Sequence, residues 1–190
     1  MVRAGAVNPR HIPNALTIAR MLMIPPAMLE LVRGNHLTAM VIMAVAGITD
    51  GLDGYLARRF DWRSRLGAIL DPLADKLLMM ASYITLGYLG HIPLWLTLLV
   101  VGRDVVIMAG ATVYYYLFDQ IEMTPTPLSK ANTALQVALL VVVVGALAGL
   151  AVPPWGLAGM IWLVAASTLV SGLHYVWVWS DEARQAAGGD

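Results

Sequence analysis

Four aspartates stand close together in a chain that is otherwise strongly apolar. Residues 48–76 read ITDGLDGYLARRFDWRSRLGAILDPLADK. The aspartates of this segment are Asp50, Asp53, Asp71 and Asp75. The first two are three positions apart and the last two are four positions apart, so each pair shares one face of a helix. Because residues 58–65 between them are polar, we predict a helical hairpin that brings the four carboxylates together.

Such a cluster of carboxylates needs a positive charge, because ionised carboxylates in a partly dry site repel each other. One source would be the neighbouring Arg58, Arg59 and Lys76, in a purely structural ion network. The chain has no cysteine, and a cluster made only of oxygen ligands suits hard cations such as magnesium, manganese or calcium. Since ionisable residues in apolar spans usually have a function, we favour a metal site.

Glycines accompany the aspartates and have two explanations. Gly51, Gly54 and Gly67 carry no side chain, so a ligand or another backbone can approach closely there. Tight packing of helices would explain them equally well if they stood alone. Beside the carboxylates we interpret them as room for an anionic ligand. Phosphate or pyrophosphate is the natural candidate, because magnesium commonly joins carboxylates to substrate phosphates.

The elements that must position these residues are apolar segments. The sequence is 59% hydrophobic and 13% charged, whereas average soluble domains carry about 25% charged residues. About 20 apolar residues cross a bilayer. We predict an all-α integral membrane protein, a six-transmembrane-helix bundle forming a single domain over residues 1–190, with tails at 1–11 and 181–190. The predicted spans are residues 12–32, 37–58, 66–89, 93–118, 129–151 and 155–179.

Basic residues indicate how this bundle is oriented. Six spans place both termini on one side, and the positive-inside rule makes the basic side cytoplasmic. On that side lie Arg3, Arg10, Arg58, Arg59, Arg63, Arg65, Lys130 and Arg184, whereas the opposite loops hold Arg33. We expect a multi-pass protein of a bacterial inner membrane, with the termini and the aspartates facing the cytoplasm. A formal net charge of +0 gives no indication of nucleic-acid binding.

The spacing of these residues resembles the signature of the CDP-alcohol phosphotransferases at every fixed position. The pattern is Asp50-x2-Asp53-Gly54-x2-Ala57-Arg58-x8-Gly67-x3-Asp71-x3-Asp75, preceded by Pro13-Asn14-x2-Thr17. The resemblance implies a membrane enzyme that moves a phosphatidyl group from CDP-diacylglycerol to an alcohol and releases CMP. No nucleic acid takes part. The small residues at 145–149 are compatible with close helix contacts within the chain or in a homodimer.

The resemblance also implies roles for individual residues. Asp50, Asp53 and Asp71 would hold one or two divalent cations, Mg²⁺ or Mn²⁺, over the pyrophosphate. Asp75 would be the general base that takes the proton of the acceptor hydroxyl, and it would also be a ligand of the metal. The CDP pocket would be lined by Gly54, Ala57, Arg58, Gly67, Asn14 and Thr17.

Two cations further along the chain bear on the acceptor. Arg103 and Lys130 could bind an acceptor phosphate, the first as a planar fork and the second as a compact charge. Alternatively, Arg103 pairs with Asp104 and Lys130 is a cation at the end of a span. The Arg103-Asp104 pair and the segment PTPLSKANT resemble the CMP-forming cardiolipin synthases more than the phosphatidylglycerophosphate synthases. We therefore expect phosphatidylglycerol as the acceptor, with glycerol 3-phosphate as the alternative.

Other classes of protein could also place carboxylates within apolar spans. A divalent-cation or proton-coupled transporter would use them as an ion path, and such transporters often contain inverted repeats. No matching acidic cluster follows residue 100, so the sequence favours the enzyme. An inactive relative that serves as a membrane interaction protein is disfavoured because every fixed position of the signature is kept.

Overall fold

A computed structural model describes residues 12–60, 65–118 and 126–187, and in these ranges every regular element is a helix. The helices are α1 Ile12–Val32, α2 His36–Phe60, α3 Arg65–Tyr88, α4 Leu94–Phe118, α5 Pro127–Leu147 and α6 Pro154–Ala187. The predicted all-α class is confirmed, and most helix ends lie within a few residues of the predicted spans. The end of α6 differs, because this helix continues to Ala187 through much of the predicted tail.

Three helices of the described chain are long and apolar enough to cross a membrane. They contain the candidate spans Ala15–Val32, Pro127–Leu147 and Pro154–Tyr175. Large apolar side chains lie on the outside of the protein, among them Leu22 at 70% exposure and Trp155 at 80%. Exposed apolar surface on this scale is rare on soluble monomers. The structure therefore supports a membrane protein.

Two tight turns depend on glycine. Gly34 follows α1 with φ 80°, and the backbone N–H of Asn35 donates to the carbonyl of Glu30 at 2.9 Å. Gly90 follows α3 with φ 78°, and the N–H of His91 donates to the carbonyl of Leu86 at 2.9 Å. This six-to-one hydrogen bond closes a helix over a left-handed residue, a conformation that side chains disfavour.

The chain divides into two compact units. The first comprises the chain up to Thr85 together with Leu147–Gly149, and the second comprises Leu86–Ala146 and the chain from Leu150 onward. Within the first unit α1 packs along α2, and its buried core contains four alanines, which let helices approach closely. These are Ala27, Ala39, Ala46 and Ala74. The single membrane domain expected from the sequence stays a prediction.

A buried polar network joins α5 to α6 in the second unit. Asn132 Oδ1 accepts hydrogen bonds from Ser167 Oγ at 2.7 Å and from Thr168 Oγ1 at 3.0 Å. Gln136 Nε2 donates to the same Thr168 hydroxyl at 3.3 Å. Asn132, Gln136 and Thr168 are almost fully buried. In a membrane such side-chain hydrogen bonds hold neighbouring helices together.

Candidate active site

Folding of the first unit brings two of the four aspartates to one cation. Arg20 Nη1, on α1, lies 2.6 Å from Asp50 Oδ1 on α2. The same nitrogen lies 2.6 Å from Asp75 Oδ1 on α3. Because both oxygens share one nitrogen, they cannot be further from each other than twice that distance. For this pair of aspartates, the predicted convergence of the two helices is present in the structure.

The two carboxylates and the guanidinium differ in their access to the surroundings. The Arg20 side chain is 0% exposed, whereas Asp50 is 41% exposed and Asp75 is 49% exposed. A buried charge is tolerated when it is paired with good geometry, and hydrogen bonds of this length between charged groups are among the strong ones. The cation is thus sealed inside the unit while both carboxylates remain accessible to a ligand.

Sequence reasoning did not single out Arg20, although a signal was present. Arg20 lies inside the candidate span Ala15–Val32, where charged residues are rare and usually paired. It follows Thr17 by three positions, so the two share a face of α1, and both are fully buried. As the alternative to a metal site, the sequence suggests Arg58, Arg59 and Lys76 as structural partners of the aspartates. The cation that the structure brings to both Asp50 and Asp75 is Arg20.

The side chains of several predicted site residues lie outside the described part of the structure. Their backbones lie on the same helices as Thr17, Asp50 and Asp75, and their roles stay predictions. They are the metal ligands Asp53 and Asp71 and the CDP-pocket residues Asn14, Gly54, Ala57, Arg58 and Gly67. Thr17 is the described member of the predicted pocket, and its side chain is buried.

The described donors fit a hard divalent cation but are not a full ligand set. Asp50 and Asp75 offer carboxylate oxygens that are close together and accessible, as magnesium or manganese requires. Among the described residues no group of three or more His, Cys, Asp or Glu could hold a metal ion. The predicted ligands Asp53 and Asp71 lie one turn away on the same helices and could add to this pair.

Arg103 is buried in the second unit and joins three helices. Its Nη1 donates to Asp104 Oδ1 at 2.7 Å, and its Nη2 donates to Ser129 Oγ at 2.8 Å and Ser171 Oγ at 2.6 Å. The ring centroid of Tyr175 lies 5.7 Å from the guanidinium carbon. The ion pair with Asp104 that the sequence suggested as an alternative is present. Binding of an acceptor phosphate by Arg103 stays a prediction.

Lys130 differs from Arg103 in its exposure. It stands in the first turn of α5, where its backbone N–H donates to the carbonyl of Thr126 at 3.1 Å. Its side chain is exposed, whereas Arg103 is only 7% exposed. Of the two cations predicted to bind the acceptor, Lys130 is the one that a ligand can reach without rearrangement of the helices.

Comparison with known proteins places these residues in a family. A family model described as CDP-alcohol phosphatidyltransferase matches residues 10–174. The chain belongs to the CDP-alcohol phosphatidyltransferase family. The matched range contains every residue that the sequence assigned to the site, from Asn14 to Lys130, and it also contains Arg20.

The relatives of this chain have two kinds of names. It is 37% identical over 197 residues to a Drosophila melanogaster protein named "Probable cardiolipin synthase (CMP-forming)", covering 92% of this chain and 59% of that protein. The human protein named "Cardiolipin synthase (CMP-forming)" is 34% identical over 172 residues, with coverage of 82% and 55%. A Mycobacterium tuberculosis protein named "Probable phosphatidylglycerophosphate synthase" is 32% identical over 182 residues, with coverage of 91% and 83%.

These alignments differ in how much of each relative they include. The chain spans 59% of the Drosophila protein and 55% of the human protein. It spans 83% of the mycobacterial protein. The three identities lie within a few per cent of one another, so similarity over the whole sequence does not separate the two kinds of synthase.

Proposed function

We propose that the chain is a membrane-bound phosphatidyltransferase that takes CDP-diacylglycerol as donor and a glycerol-phosphate-type alcohol as acceptor, and releases CMP. The observation that carries the proposal is the family match over residues 10–174, a range that includes the clustered Asp50 and Asp75. The names of the relatives support the same reaction class. The match gives no support to the transporter alternative.

The proposed reaction exchanges one bond at phosphorus for another. The acceptor hydroxyl oxygen bonds to the phosphorus that carries the diacylglycerol, and the bond from that phosphorus to the bridging pyrophosphate oxygen breaks. CMP leaves with the electron pair of the broken bond, and the hydroxyl proton passes to Asp75. One feature supports Asp75 in this role: its carboxylate is half-exposed, so that an acceptor hydroxyl can reach it.

The proposed cofactor is Mg²⁺ or Mn²⁺, as one or two ions. Asp50, Asp53 and Asp71 would hold it, and Asp75 would also contact it. When bound, such a cation would offset the negative charge on the pyrophosphate oxygens as CMP leaves. The accessible oxygens of Asp50 and Asp75 support this assignment, and the absence of cysteine is consistent with a cation that prefers oxygen.

For the acceptor we favour phosphatidylglycerol, which would give cardiolipin, over glycerol 3-phosphate, which would give phosphatidylglycerophosphate. The names of the Drosophila and human relatives support the first, and the name of the mycobacterial relative supports the second. In either case the acceptor carries a phosphate. The exposed Lys130 is therefore the residue of the second unit that we favour for recognising it.

We further propose that all six helices cross the membrane, with the active site and both termini on the cytoplasmic side of a bacterial inner membrane. In support of this, each of the six described helices has at least 21 residues, and about 20 are enough to cross a bilayer. The concentration of basic residues on one side supports the orientation. A homodimer is compatible with the small residues at 145–149.

An acceptor screen tests the proposed function directly. Purified protein in detergent receives CDP-diacylglycerol, Mg²⁺ or Mn²⁺, and one acceptor at a time: phosphatidylglycerol, glycerol 3-phosphate, inositol phosphate or serine. We expect CMP release with phosphatidylglycerol and a lipid product with the mass of cardiolipin. A product with the mass of phosphatidylglycerophosphate would instead identify glycerol 3-phosphate as the acceptor. No CMP release with any of the four acceptors would contradict the proposed function.

A further inference from the structure

A fixed positive charge already stands at the place where the proposed metal would act. The Arg20 guanidinium is fully buried, and its Nη1 lies 2.6 Å from a carboxylate oxygen of Asp50 and 2.6 Å from one of Asp75. Two ionised carboxylates at this separation would otherwise repel each other. Arg20 therefore does, from within the protein, what a divalent cation would do from outside: it lets both carboxylates remain ionised and close together.

Two cations that bind the same carboxylates repel each other, so that each weakens the binding of the other. A divalent ion held by Asp50 and Asp75 would share these carboxylates with the guanidinium, and like charges so close together would repel strongly because the surroundings are partly dry. Arg20 cannot leave easily, since its side chain is wholly enclosed by the first unit. It also cannot lose its proton, because a guanidinium stays charged in proteins. The repulsion is therefore a permanent property of the site.

We propose that Arg20 is an internal counter-cation, a positioning residue that holds Asp50 and Asp75 together before the divalent ion arrives and weakens the binding of that ion in the absence of donor lipid. This inference rests on the proposed function, because the divalent ion is part of it. Magnesium is typically held by one or two carboxylates together with substrate phosphates. A site weakened by Arg20 binds the ion firmly only once the pyrophosphate adds its own oxygens and negative charge.

The direction in which the Mn²⁺ affinity changes when Arg20 loses its charge tests the proposal. In Arg20→Gln the side chain keeps hydrogen-bonding groups but loses its charge. We expect this variant to bind Mn²⁺ about tenfold more tightly than the wild type in the absence of CDP-lipid, a free-energy change of about 1.4 kcal/mol. Free Mn²⁺ is measured by electron paramagnetic resonance on purified protein in detergent, so the result does not depend on turnover.

Two further variants isolate the effect of the charge. Arg20→Lys keeps a positive charge, and we expect its Mn²⁺ affinity to stay within about threefold of the wild type. Arg33→Gln removes the same charge just after the last residue of α1, about 20 Å from Arg20 by the rise of a helix. There Arg33 pairs with Glu30 at 2.9 Å. Because this pair is far from the aspartates, the Mn²⁺ affinity of Arg33→Gln should equal that of the wild type.

Thermal unfolding gives a second measurement that needs no binding isotherm. If Arg20 stabilises the metal-free site, Arg20→Gln should unfold at a lower temperature than the wild type in chelator, and Mn²⁺ should raise its unfolding temperature by more. This follows because, at a given concentration, a ligand that binds more tightly stabilises the folded state more. A variant that stays folded only when Mn²⁺ is present would support the proposal equally well.

The possible outcomes separate this inference from the proposed function. If the wild type binds Mn²⁺ and releases CMP, but Arg20→Gln binds Mn²⁺ equally or more weakly, the counter-cation role is wrong and the enzyme remains. Weaker binding is what an orienting partner of a metal ligand would produce, typically by 10–100-fold. If Arg20→Gln does not fold even with Mn²⁺, a tenfold loss of affinity in Arg20→Lys would overturn the inference. A wild type that neither binds Mn²⁺ nor releases CMP contradicts both proposals.

Discussion

Replacing Arg103 by Met should destabilise the second unit strongly, because the guanidinium compensates a buried carboxylate. Asp104 is 1% exposed, and Arg103 donates to it and to two serines at 2.6–2.8 Å. Removing one partner of a buried ion pair typically costs about 3–5 kcal/mol. For a chain of this size that corresponds to a fall in unfolding temperature of roughly 10 °C.

A double variant shows whether the buried charge is the cause. Arg103→Met combined with Asp104→Asn removes the negative charge as well, so we expect it to regain a large part of the lost stability. The matched control is Arg33→Met, whose ion pair with Glu30 is on the surface. Such exposed pairs contribute little to stability because solvent screens them.

Unfolding is followed by intrinsic tryptophan fluorescence in detergent, with CMP release measured on the same samples. A wild-type unfolding temperature for Arg103→Met, or no recovery in the double variant, would refute the structural role derived from these contacts. The binding of an acceptor phosphate by Arg103 is a separate prediction. It would be tested by the dependence of the rate on acceptor concentration.

Three other predictions concern the site and its orientation. Asp75→Asn should abolish CMP release while leaving Mn²⁺ binding within about tenfold of the wild type. The control Glu30→Gln should leave turnover unchanged. A fully active Asp75→Asn would exclude the base role. Lys130→Gln should raise the KM for the acceptor without lowering the unfolding temperature, and an unchanged KM would exclude Lys130 from acceptor recognition. Because the chain has no cysteine, a single Thr38→Cys or Arg59→Cys can be labelled specifically. These positions lie about 30 Å apart along α2, so a membrane-impermeant maleimide should reach them from opposite sides, and labelling of both from the same side would contradict a spanning α2.

Local patterns in the sequence predicted the helices well because length and hydropathy are local properties. The spacing of Asp50 and Asp75 within a hairpin likewise predicted that their carboxylates would be near each other. The structure extends α6 to Ala187 beyond the predicted span, because a helix needs only its own backbone hydrogen bonds and can continue after the apolar residues end.

Contacts between distant helices were less predictable. Arg20 meets Asp50 and Asp75 because of how α1 is rotated about its axis, and a helix that is apolar on nearly every side gives little indication of that rotation. The ion pair of Arg103 with Asp104, its neighbour in sequence, is the alternative that the sequence left open, and it is present. Its contacts with Ser129 and Ser171 depend on where α5 and α6 lie beside α4. The spacing of residues in the sequence does not predict those positions.

The polar network between α5 and α6 has a consequence for movement within the second unit. The hydrogen bonds of Asn132 with Ser167 and Thr168 cross from one helix to the other. If either helix slid or rotated past its neighbour, these groups would lose their partners in surroundings where lipid offers no replacement. The two helices should therefore behave as a single rigid body. Any conformational change within the second unit should therefore move α5 and α6 together and leave the contacts between them intact.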